Sequence, residues 1–388
     1  MSSIPYGRQD INQDDIDSVI AVLQSDFLTQ GPVVIQFEKS VANYCSAQYA
    51  VAVNSATSAL HIACLALGVG NGDIVWTTPI TFVASANCAL YCGAVIDFVD
   101  IDPFTCNMSV GNLAEKLIAA EKVGKLPKVV IPVHLGGQPC DMEGIFELSQ
   151  QYGFKIIEDA SHAIGGKYNQ EPIGNCRYSN ITVFSFHPVK IITTAEGGMA
   201  MTNDTHLAKR MRLLRSHGIT RDDQEMTHQS EGPWYYQQIA LGYNYRMTDL
   251  HAALGLSQMS RLNEFVAKRQ EFVKRYDQLL ASLPVRSLLQ IEGCYSGFHL
   301  YVVRLKLSEI NKTQRQIFEE LRRVGIGVNL HYIPVYHQPY YENLGFKRGY
   351  CFEAEQYYAE AISLPLFPSL TIHQQDIVIA ALKQALLK

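Results

Sequence analysis

The stretch YAVAVNSATSALHIACLALGVG, residues 49 to 70, places a short apolar strand directly before an apolar helix. Alternating Ala and Val favour a strand over 49–53, and the pattern over 57–67 favours a helix that Gly68 and Gly70 end. Further β-rich runs, with helical patterns between them, follow at 74–77, 95–99, 129–133, 154–158 and 181–186. This alternation predicts an α/β fold whose mostly parallel sheet is covered by helices on both faces.

The regular alternation of strands and helices ends in the last third of the chain. The patterns there predict a long helical section, a strand and two more helices, at 247–283, 300–307, 315–324 and from 373 onward. At the other end, Asp14 and Asp15 favour the first turn of a helix over 13–24, and a second helix carries Phe37. We therefore expect a large domain over 1–250, which includes the N-terminal segment, and a smaller C-terminal α+β domain over 251–388.

Composition excludes several classes of protein. The 388 residues carry a net charge of −5 that is spread along the chain, which argues against the clustered basic stripe of a nucleic-acid-binding protein. The start MSSIPYGRQDINQDD has no apolar segment typical of a secretory signal. The uncharged run 74–96 is long enough to span a bilayer, but Pro79, Asn87 and Gly93 interrupt it. A buried strand, a helix and a second strand explain this run better than a membrane span.

The cysteines indicate a reducing compartment. Nine are present, without a CxxC pair or a regular spacing, as expected for buried, reduced thiols. We expect a cytoplasmic enzyme without a metal site.

Ligands of an open parallel sheet bind at the carboxyl ends of its strands, and three such ends carry chemistry. At the first, the hydroxyl residues Ser55, Thr57 and Ser58 open a helix whose N–H groups can bind a phosphate. The alternative is that these residues only cap the helix. At the second end, Asp159 and His162 follow a buried strand. Asp159 can pair with a cationic heterocycle and hold its proton. The alternative is that Asp159 serves only as a cap and that His162 is a hydrogen-bonded histidine of the core.

The third strand end leads to Lys190, which lies between an apolar strand and a Gly-containing turn. A poorly solvated amine there would have a lowered pKa and could form a Schiff base, although most lysines are merely solvated surface residues. A phosphate cradle, a carboxylate and such a lysine on one sheet are what pyridoxal 5′-phosphate (PLP) requires.

These residues lie in blocks that resemble the fold-type I aminotransferases of the DegT/DnrJ/EryC1/StrS family, which act on nucleotide-linked keto sugars. The similar blocks cover nearly the whole chain: LTQGP (28–32), NSATSAL (54–60), TTPITFVASAN (77–87), EDASHA (158–163), SFHPVKIITTAEGG (185–198), RSHG (215–218), GYNYRMTDLHAALGLSQ (242–258) and HYIP (331–334). The resemblance implies a mostly parallel large-domain sheet, a smaller C-terminal domain and a homodimer.

The resemblance also assigns roles to residues. Lys190 is similar to the lysine that carries PLP covalently, and Asp159 to the carboxylate that keeps its pyridine nitrogen protonated. Phe82 would stack on the ring, and His162 would lie near the ring oxygen. The phosphate would be held by Thr57, Ser58, Ser185 and, from the neighbouring subunit, Asn244.

Within the family, the blocks are most similar to a subgroup that aminates a UDP-linked 4-keto-6-deoxy amino sugar in pseudaminic acid biosynthesis. This similarity implies L-glutamate as the amino donor. The sugar-nucleotide contacts would fall on Tyr6, Asp26, Phe27, Leu28, Thr29, Ala56, Asn329, Leu330, His331 and Tyr332.

Other functions remain as alternatives. The enzyme could aminate a different nucleotide-linked keto sugar, or the chain could be a non-catalytic scaffold that binds the cofactor. Related sugar dehydratases replace the lysine with histidine, and Lys190 argues against that activity. A nicotinamide-dependent oxidoreductase is disfavoured because no GxGxxG follows the first strands.

Overall fold

The computed structural model describes residues 3–387. Its strands are β1 (Tyr49–Val53), β2 (Ile74–Thr77), β3 (Val95–Phe98), β4 (Val129–Ile131), β5 (Lys155–Asp159), β6 (Lys167–Tyr168), β7 (Glu171–Pro172), β8 (Ile181–Ser185), β9 (Gly198–Thr202), β10 (Ile219–Thr220), β11 (Gln237–Gln238), β12 (Val285–Ser287), β13 (Tyr301–Leu305) and β14 (Ala361–Leu364). Its helices are α1 (Gln13–Leu23), α2 (Pro32–Cys45), α3 (Ala56–Ala66), α4 (Ala84–Tyr91), α5 (Val110–Glu121), α6 (Met142–Tyr152), α7 (Thr205–Arg215), α8 (Asp249–Met259), α9 (Leu262–Leu280), α10 (Gln314–Arg323), α11 (Pro339–Glu342), α12 (Phe352–Glu360) and α13 (Ile372–Leu387).

Seven strands form the main sheet, in the order β1-β9-β8-β5-β4-β2-β3. Strand β9 is antiparallel to both of its neighbours, β1 and β8, whereas β8, β5, β4, β2 and β3 are parallel. The mostly parallel sheet predicted from the sequence is therefore confirmed. The carboxyl ends of β5 and β8, which deliver Asp159 and Ser185, lie side by side at one edge of the sheet.

Both faces of the sheet are buried, as the sequence predicts. Along β1, Val51 and Val53 pack into one apolar cluster, and Ala50 and Ala52 pack into another on the opposite face. Successive side chains of a strand point to opposite faces, so this division is the one that a covered sheet requires.

A third apolar cluster surrounds the smaller sheet, whose order is β12-β13-β14. Helices α9, α10 and α13 contribute Tyr276, Ile317 and Leu382 to this cluster, and all three side chains are buried. The division of the chain at residue 250 stays a prediction. The predicted helical section 247–283 consists of two helices, α8 and α9, which are separated at Ser260 and Arg261.

Contacts at Asp249, Ile4 and Tyr6 fix the N-terminal segment to the rest of the fold. Asp249, at the start of α8, accepts hydrogen bonds from the backbone of Gly31 and Val33 at 2.7 and 2.9 Å, and so caps α2. Ile4 pairs with Ile326, and the carbonyl of Tyr6 accepts from the Leu366 amide at 3.0 Å. These bonds hold Tyr6 against the smaller sheet.

Within residues 3–387, no helix is long and apolar enough to cross a membrane. All nine cysteines are free, as expected from their spacing. No cluster of His, Cys, Asp and Glu with the arrangement of a metal site occurs among the residues that the structure describes.

Candidate active site

A cavity of about 560 Å³ opens at the carboxyl ends of β5 and β8, beside the first turn of α3. Twelve of the residues predicted from the sequence line it: Tyr6, Ala56, Thr57, Phe82, Asp159, His162, Ser185, Lys190, Asn329, Leu330, His331 and Tyr332. The topology of the sheet thus brings together side chains from distant parts of the chain.

Lys190 lies in the turn that follows β8, where its amide donates to the carbonyl of His187 at 2.9 Å. Burial lowers the pKa of its amine from 10.5 to about 8, because the charged form is poorly solvated there. The carboxylate of Asp159 opposes only part of this effect. An amine with this pKa is available as a nucleophile and as a base near neutral pH.

Asp159 is the last residue of β5, one position beyond the predicted end of that strand. Its Oδ2 accepts from the Ser85 hydroxyl at 2.6 Å, and Ser85 lies 2.7 Å from the Thr81 hydroxyl. Its Oδ1 accepts from the Ser161 amide at 3.1 Å. Two neutral donors thus hold the carboxylate in place at the edge of the cavity.

Glu158, the neighbour of Asp159, points to the opposite face of the sheet. Its carboxylate accepts from the hydroxyls of Ser179 and Thr182 at 2.5 and 3.0 Å, and it lies 2.8 Å from His134 Nε2. Hydrogen bonding to these groups outweighs burial and lowers the pKa of Glu158. Only Asp159 of the acidic pair therefore reaches the cavity.

The first turn of α3 forms an anion cradle. Ser55 caps the helix by accepting from the Ser58 amide at 3.1 Å, and the N–H groups of Ala56 and Thr57 precede the first intrahelical bonds. Gly198 allows this approach, since a Cβ at that position would lie 2.5 Å from the Ala56 nitrogen. Thr57 and Ser185 line the cavity.

Ser58, which was also predicted to hold the phosphate, does not line the cavity. Its hydroxyl donates to Asn54 Oδ1 at 2.6 Å, and the side chain is buried. Ser58 therefore stabilises the start of α3 in this chain, and a direct phosphate contact from it stays a prediction.

Phe82 presents an aromatic face to the cavity. It is 58% exposed, although Thr81 before it is buried, and its ring centroid lies 6.3 Å from that of Tyr332. Exposure of this size leaves a flat apolar surface on which a heterocycle can stack.

Four histidines line the cavity, and three of them are buried: His162, His299 and His331. Burial lowers the pKa of each, and the Lys190 ammonium adds to the effect; for His331 the pKa falls to about 3. His162 and His299 pack with ring centroids 4.5 Å apart. This wall of the cavity is therefore neutral and offers hydrogen bonds rather than charge.

The remaining predicted contacts lie outside the cavity of the single chain. Asp26, Phe27, Leu28 and Thr29 form an exposed stretch before α2, and Thr29 pairs with Thr248. Asn244 is also exposed and pairs with Ser216. Their binding roles stay predictions, and Asn244 was predicted to act in the neighbouring subunit.

Several lining residues were missed by the sequence analysis: Thr81, Ser161, His187, Glu196 and His299. Ser85 was missed as well, although it binds Asp159 directly. The four-residue spacing of Thr81 and Ser85 was a possible signal. His299 precedes β13 in the smaller sheet, far from the other blocks, and only the tertiary fold brings it to the cavity.

The donor set fits PLP. Gly198 leaves room for the backbone that begins α3, whose N–H groups can bind a phosphate. Asp159 and Phe82 offer a carboxylate and a stacking face beside a lysine. Together, fold and site define a PLP-dependent enzyme of fold type I.

The model of the DegT/DnrJ/EryC1/StrS aminotransferase family matches residues 9–383. The chain belongs to this family and is an aminotransferase. The resemblance noted from the sequence blocks is thereby confirmed.

Two curated relatives match nearly full length. The spore coat polysaccharide biosynthesis protein SpsC of Bacillus subtilis is 38% identical over 98% of this chain and 96% of that protein. The UDP-4-amino-4,6-dideoxy-N-acetyl-β-L-altrosamine transaminase of Campylobacter jejuni is 36% identical over 97% of this chain and 95% of that protein.

Solved structures agree with this assignment. Helicobacter pylori PseC, an aminotransferase involved in the biosynthesis of pseudoaminic acid, has a TM-score of 0.89 at 29% identity and covers 99% of each chain. A proposed sugar aminotransferase of Streptococcus pneumoniae in its PLP form has a TM-score of 0.87 at 30% identity, over 99% of this chain and 98% of that one.

Proposed function

We propose that the enzyme moves the amino group of L-glutamate to C4 of UDP-2-acetamido-2,6-dideoxy-β-L-arabino-hex-4-ulose. The products are UDP-4-amino-4,6-dideoxy-N-acetyl-β-L-altrosamine and 2-oxoglutarate. The observation that carries the proposal is the partly buried Lys190 amine, with its pKa of about 8, in a cavity that also contains Asp159. The similarity to the Campylobacter jejuni transaminase supports the choice of sugar.

When bound, PLP withdraws electrons from the carbon that carries the amine and so makes the hydrogen on that carbon acidic. We assign the transfer of this proton to Lys190 Nζ. In the first half-reaction Nζ takes the proton from the α-carbon of glutamate, and in the second it gives a proton to C4 of the sugar. A pKa of about 8 suits both directions, because the amine is then neither strongly basic nor permanently neutral at cellular pH.

The other residues hold the reactants in place. The negative charge of Asp159 favours a proton on the pyridine nitrogen, and Phe82 packs against one face of the ring. The N–H groups at the start of α3, with Thr57 and Ser185, bind the phosphate. Tyr6, Ala56 and the stretch 329–332 line the cavity on the side where the sugar nucleotide would lie.

We propose a homodimer with shared sites. Asn244 would reach the phosphate of the neighbouring subunit, which accounts for its exposure in the single chain. We also propose that the chain divides into two domains at residue 250. The smaller domain then supplies His299 and the stretch 329–332 to the cavity.

A second candidate substrate is another nucleotide-linked 4-keto sugar. The relative SpsC, at 38% identity, is named for spore coat polysaccharide rather than for altrosamine, and this observation favours the alternative.

The test mixes purified enzyme with PLP, L-glutamate and one of the two C5-epimeric UDP-4-keto-6-deoxy-N-acetylhexosamines. Each epimer is tested in a separate reaction, and the products are followed by NMR. Amination at C4 of the L-arabino epimer, with little from the D-xylo epimer, is expected. The reverse preference would move the substrate to a bacillosamine-type sugar, and amination of neither would overturn the proposed substrate. Lys190→Arg keeps a cation at the site and serves as the inactive control.

A further inference from the structure

The two hydrogen bonds of His162 determine which of its ring nitrogens carries the hydrogen. The Gly136 amide donates to His162 Nδ1 at 3.2 Å, and His162 Nε2 lies 3.1 Å from the Tyr332 hydroxyl oxygen. Because a backbone amide can only donate, Nδ1 of His162 must be the nitrogen without a hydrogen. The neutral ring then carries its hydrogen on Nε2 and donates it to the Tyr332 oxygen.

The loop that carries Gly136 is fixed from both sides. Asn107 accepts from the Leu135 amide at 2.9 Å and donates to the carbonyl of Gln138 at 2.9 Å. Gly136 itself has a φ of +66°, a left-handed conformation that glycine adopts at little cost. Its amide is therefore held in place and cannot turn to allow the other tautomer of His162.

The surroundings of His162 keep the ring uncharged. Burial lowers its pKa well below the ordinary value, and the positive charge of Lys190 acts in the same direction. The neutral ring of His299 packs against it at 4.5 Å. A charged imidazolium would also place a hydrogen on Nδ1, directly opposite the amide hydrogen of Gly136.

Tyr332 receives this bond while it lines the cavity. Within residues 3–387, the structure shows no hydrogen-bond acceptor for the hydrogen of its hydroxyl group. With one lone pair engaged by His162, the O–H bond is left to point at a ligand.

We propose that His162 is a positioning residue that sets Tyr332 as a one-way hydrogen-bond donor to the carbonyl oxygen of the keto sugar. The identity of this acceptor rests on the proposed function. No bond to carbon forms or breaks in this step: Tyr332 polarises the carbonyl, and His162 fixes the direction of the hydroxyl. This role differs from contact with the cofactor, which the family resemblance implies for His162.

The first test measures the tautomer directly. The PLP-loaded enzyme is labelled with ¹⁵N in its histidine rings, and His162→Gln identifies the signals that belong to residue 162. The expected spectrum shows a His162 Nδ1 without hydrogen and a protonated Nε2 at neutral pH. A hydrogen on Nδ1, in the neutral or in the charged ring, would overturn the inference.

The second test is a double-mutant cycle on the single-turnover transfer from the aminated enzyme to the sugar. Tyr332→Phe and His162→Phe are each expected to slow this step about tenfold, the effect of one lost hydrogen bond. Because both act through the same hydroxyl, the double variant is expected to lose about tenfold as well, rather than about a hundredfold. His162→Gln, which keeps an N–H donor, should recover part of the rate.

The half-reaction with L-glutamate is measured in the same variants, and the loss in the transfer to the sugar is expected to be the larger of the two. Multiplied losses in the double variant, or equal losses in both half-reactions, would contradict the positioning role. If the wild-type enzyme aminates neither epimer, the proposed substrate fails. The imidazole spectrum then decides the inference alone, with a protonated Nδ1 overturning it and a protonated Nε2 supporting it.

Discussion

Replacing Lys190 with methionine should stabilise the cofactor-free protein. Folding buries this amine, and its pKa falls from 10.5 to about 8 even with the Asp159 carboxylate nearby. The folded state therefore disfavours a charge that the unfolded state solvates freely. Methionine has a similar length and no charge, so it removes the cost of burial while it occupies much of the same space.

The pKa difference gives the magnitude. One pH unit is worth about 1.4 kcal/mol, so the difference between 10.5 and about 8 corresponds to about 3 kcal/mol. Partial exposure of Lys190 to the cavity makes this an upper value. Below pH 8 the lysine is charged in both states, and the full cost is present. Between pH 8 and 10.5 the folded state loses the proton first, the cost shrinks, and wild-type stability approaches that of the variant.

The assay is urea unfolding of both cofactor-free proteins at a fixed protein concentration and at several pH values from 7 to 10.5. Lys190→Met is expected to be more stable by about 2 to 3 kcal/mol at pH 7, with the gain fading as pH rises. Lys274→Met, at an exposed position of α9, is the matched control and should change little. A gain no larger than that of the control, or one that does not depend on pH, would refute the reasoning about Lys190.

Three further predictions concern the residues around Lys190. Gly198→Ala, whose Cβ would lie 2.5 Å from the Ala56 nitrogen, should weaken PLP binding at least about tenfold by displacing the start of α3. PLP titration by absorbance checks this result, and Gly70→Ala, which has open space around it, should bind normally. Asp159→Asn should slow amination by about a hundredfold or more because it removes the charge that faces the cofactor. Ser85→Ala, which removes one hydrogen bond to Asp159, should slow amination by about tenfold. Comparable rates for Asp159→Asn and wild type would contradict the role of the charge. Glu158→Gln should destabilise the fold by about 2 to 4 kcal/mol in thermal unfolding, since an amide cannot accept all the bonds that the buried carboxylate accepts, while the exposed Glu309→Gln should be nearly neutral.

Local patterns predicted the elements that carry the site. Strands β1 and β2 have the predicted bounds, because a buried strand leaves a compact apolar run that small polar residues end. The position of β9 was not predictable in this way. Its antiparallel insertion between β1 and β8 depends on pairing between segments that lie far apart in the sequence.

The sequence predicted those site residues whose side chains have a reactive or binding group and that lie near the end of a strand. Lys190, Asp159 and Thr57 lie at or shortly after strand ends, so the topology of an α/β sheet brings them together. Ser58 shows the limit of this reasoning, because its hydroxyl bonds Asn54 instead of facing the cavity. His299 and the bond from Gly136 to His162 carried no local signal, since both depend on how distant segments pack.

The central claim is that Lys190 holds the cofactor and moves the proton. Reduction of the PLP-loaded enzyme with borohydride, followed by digestion and mass spectrometry, locates the covalently bound pyridoxyl group. The account predicts this group on the peptide that contains Lys190, and its absence after Lys190→Arg substitution. A pyridoxyl group on any other lysine, or on none, would contradict the account.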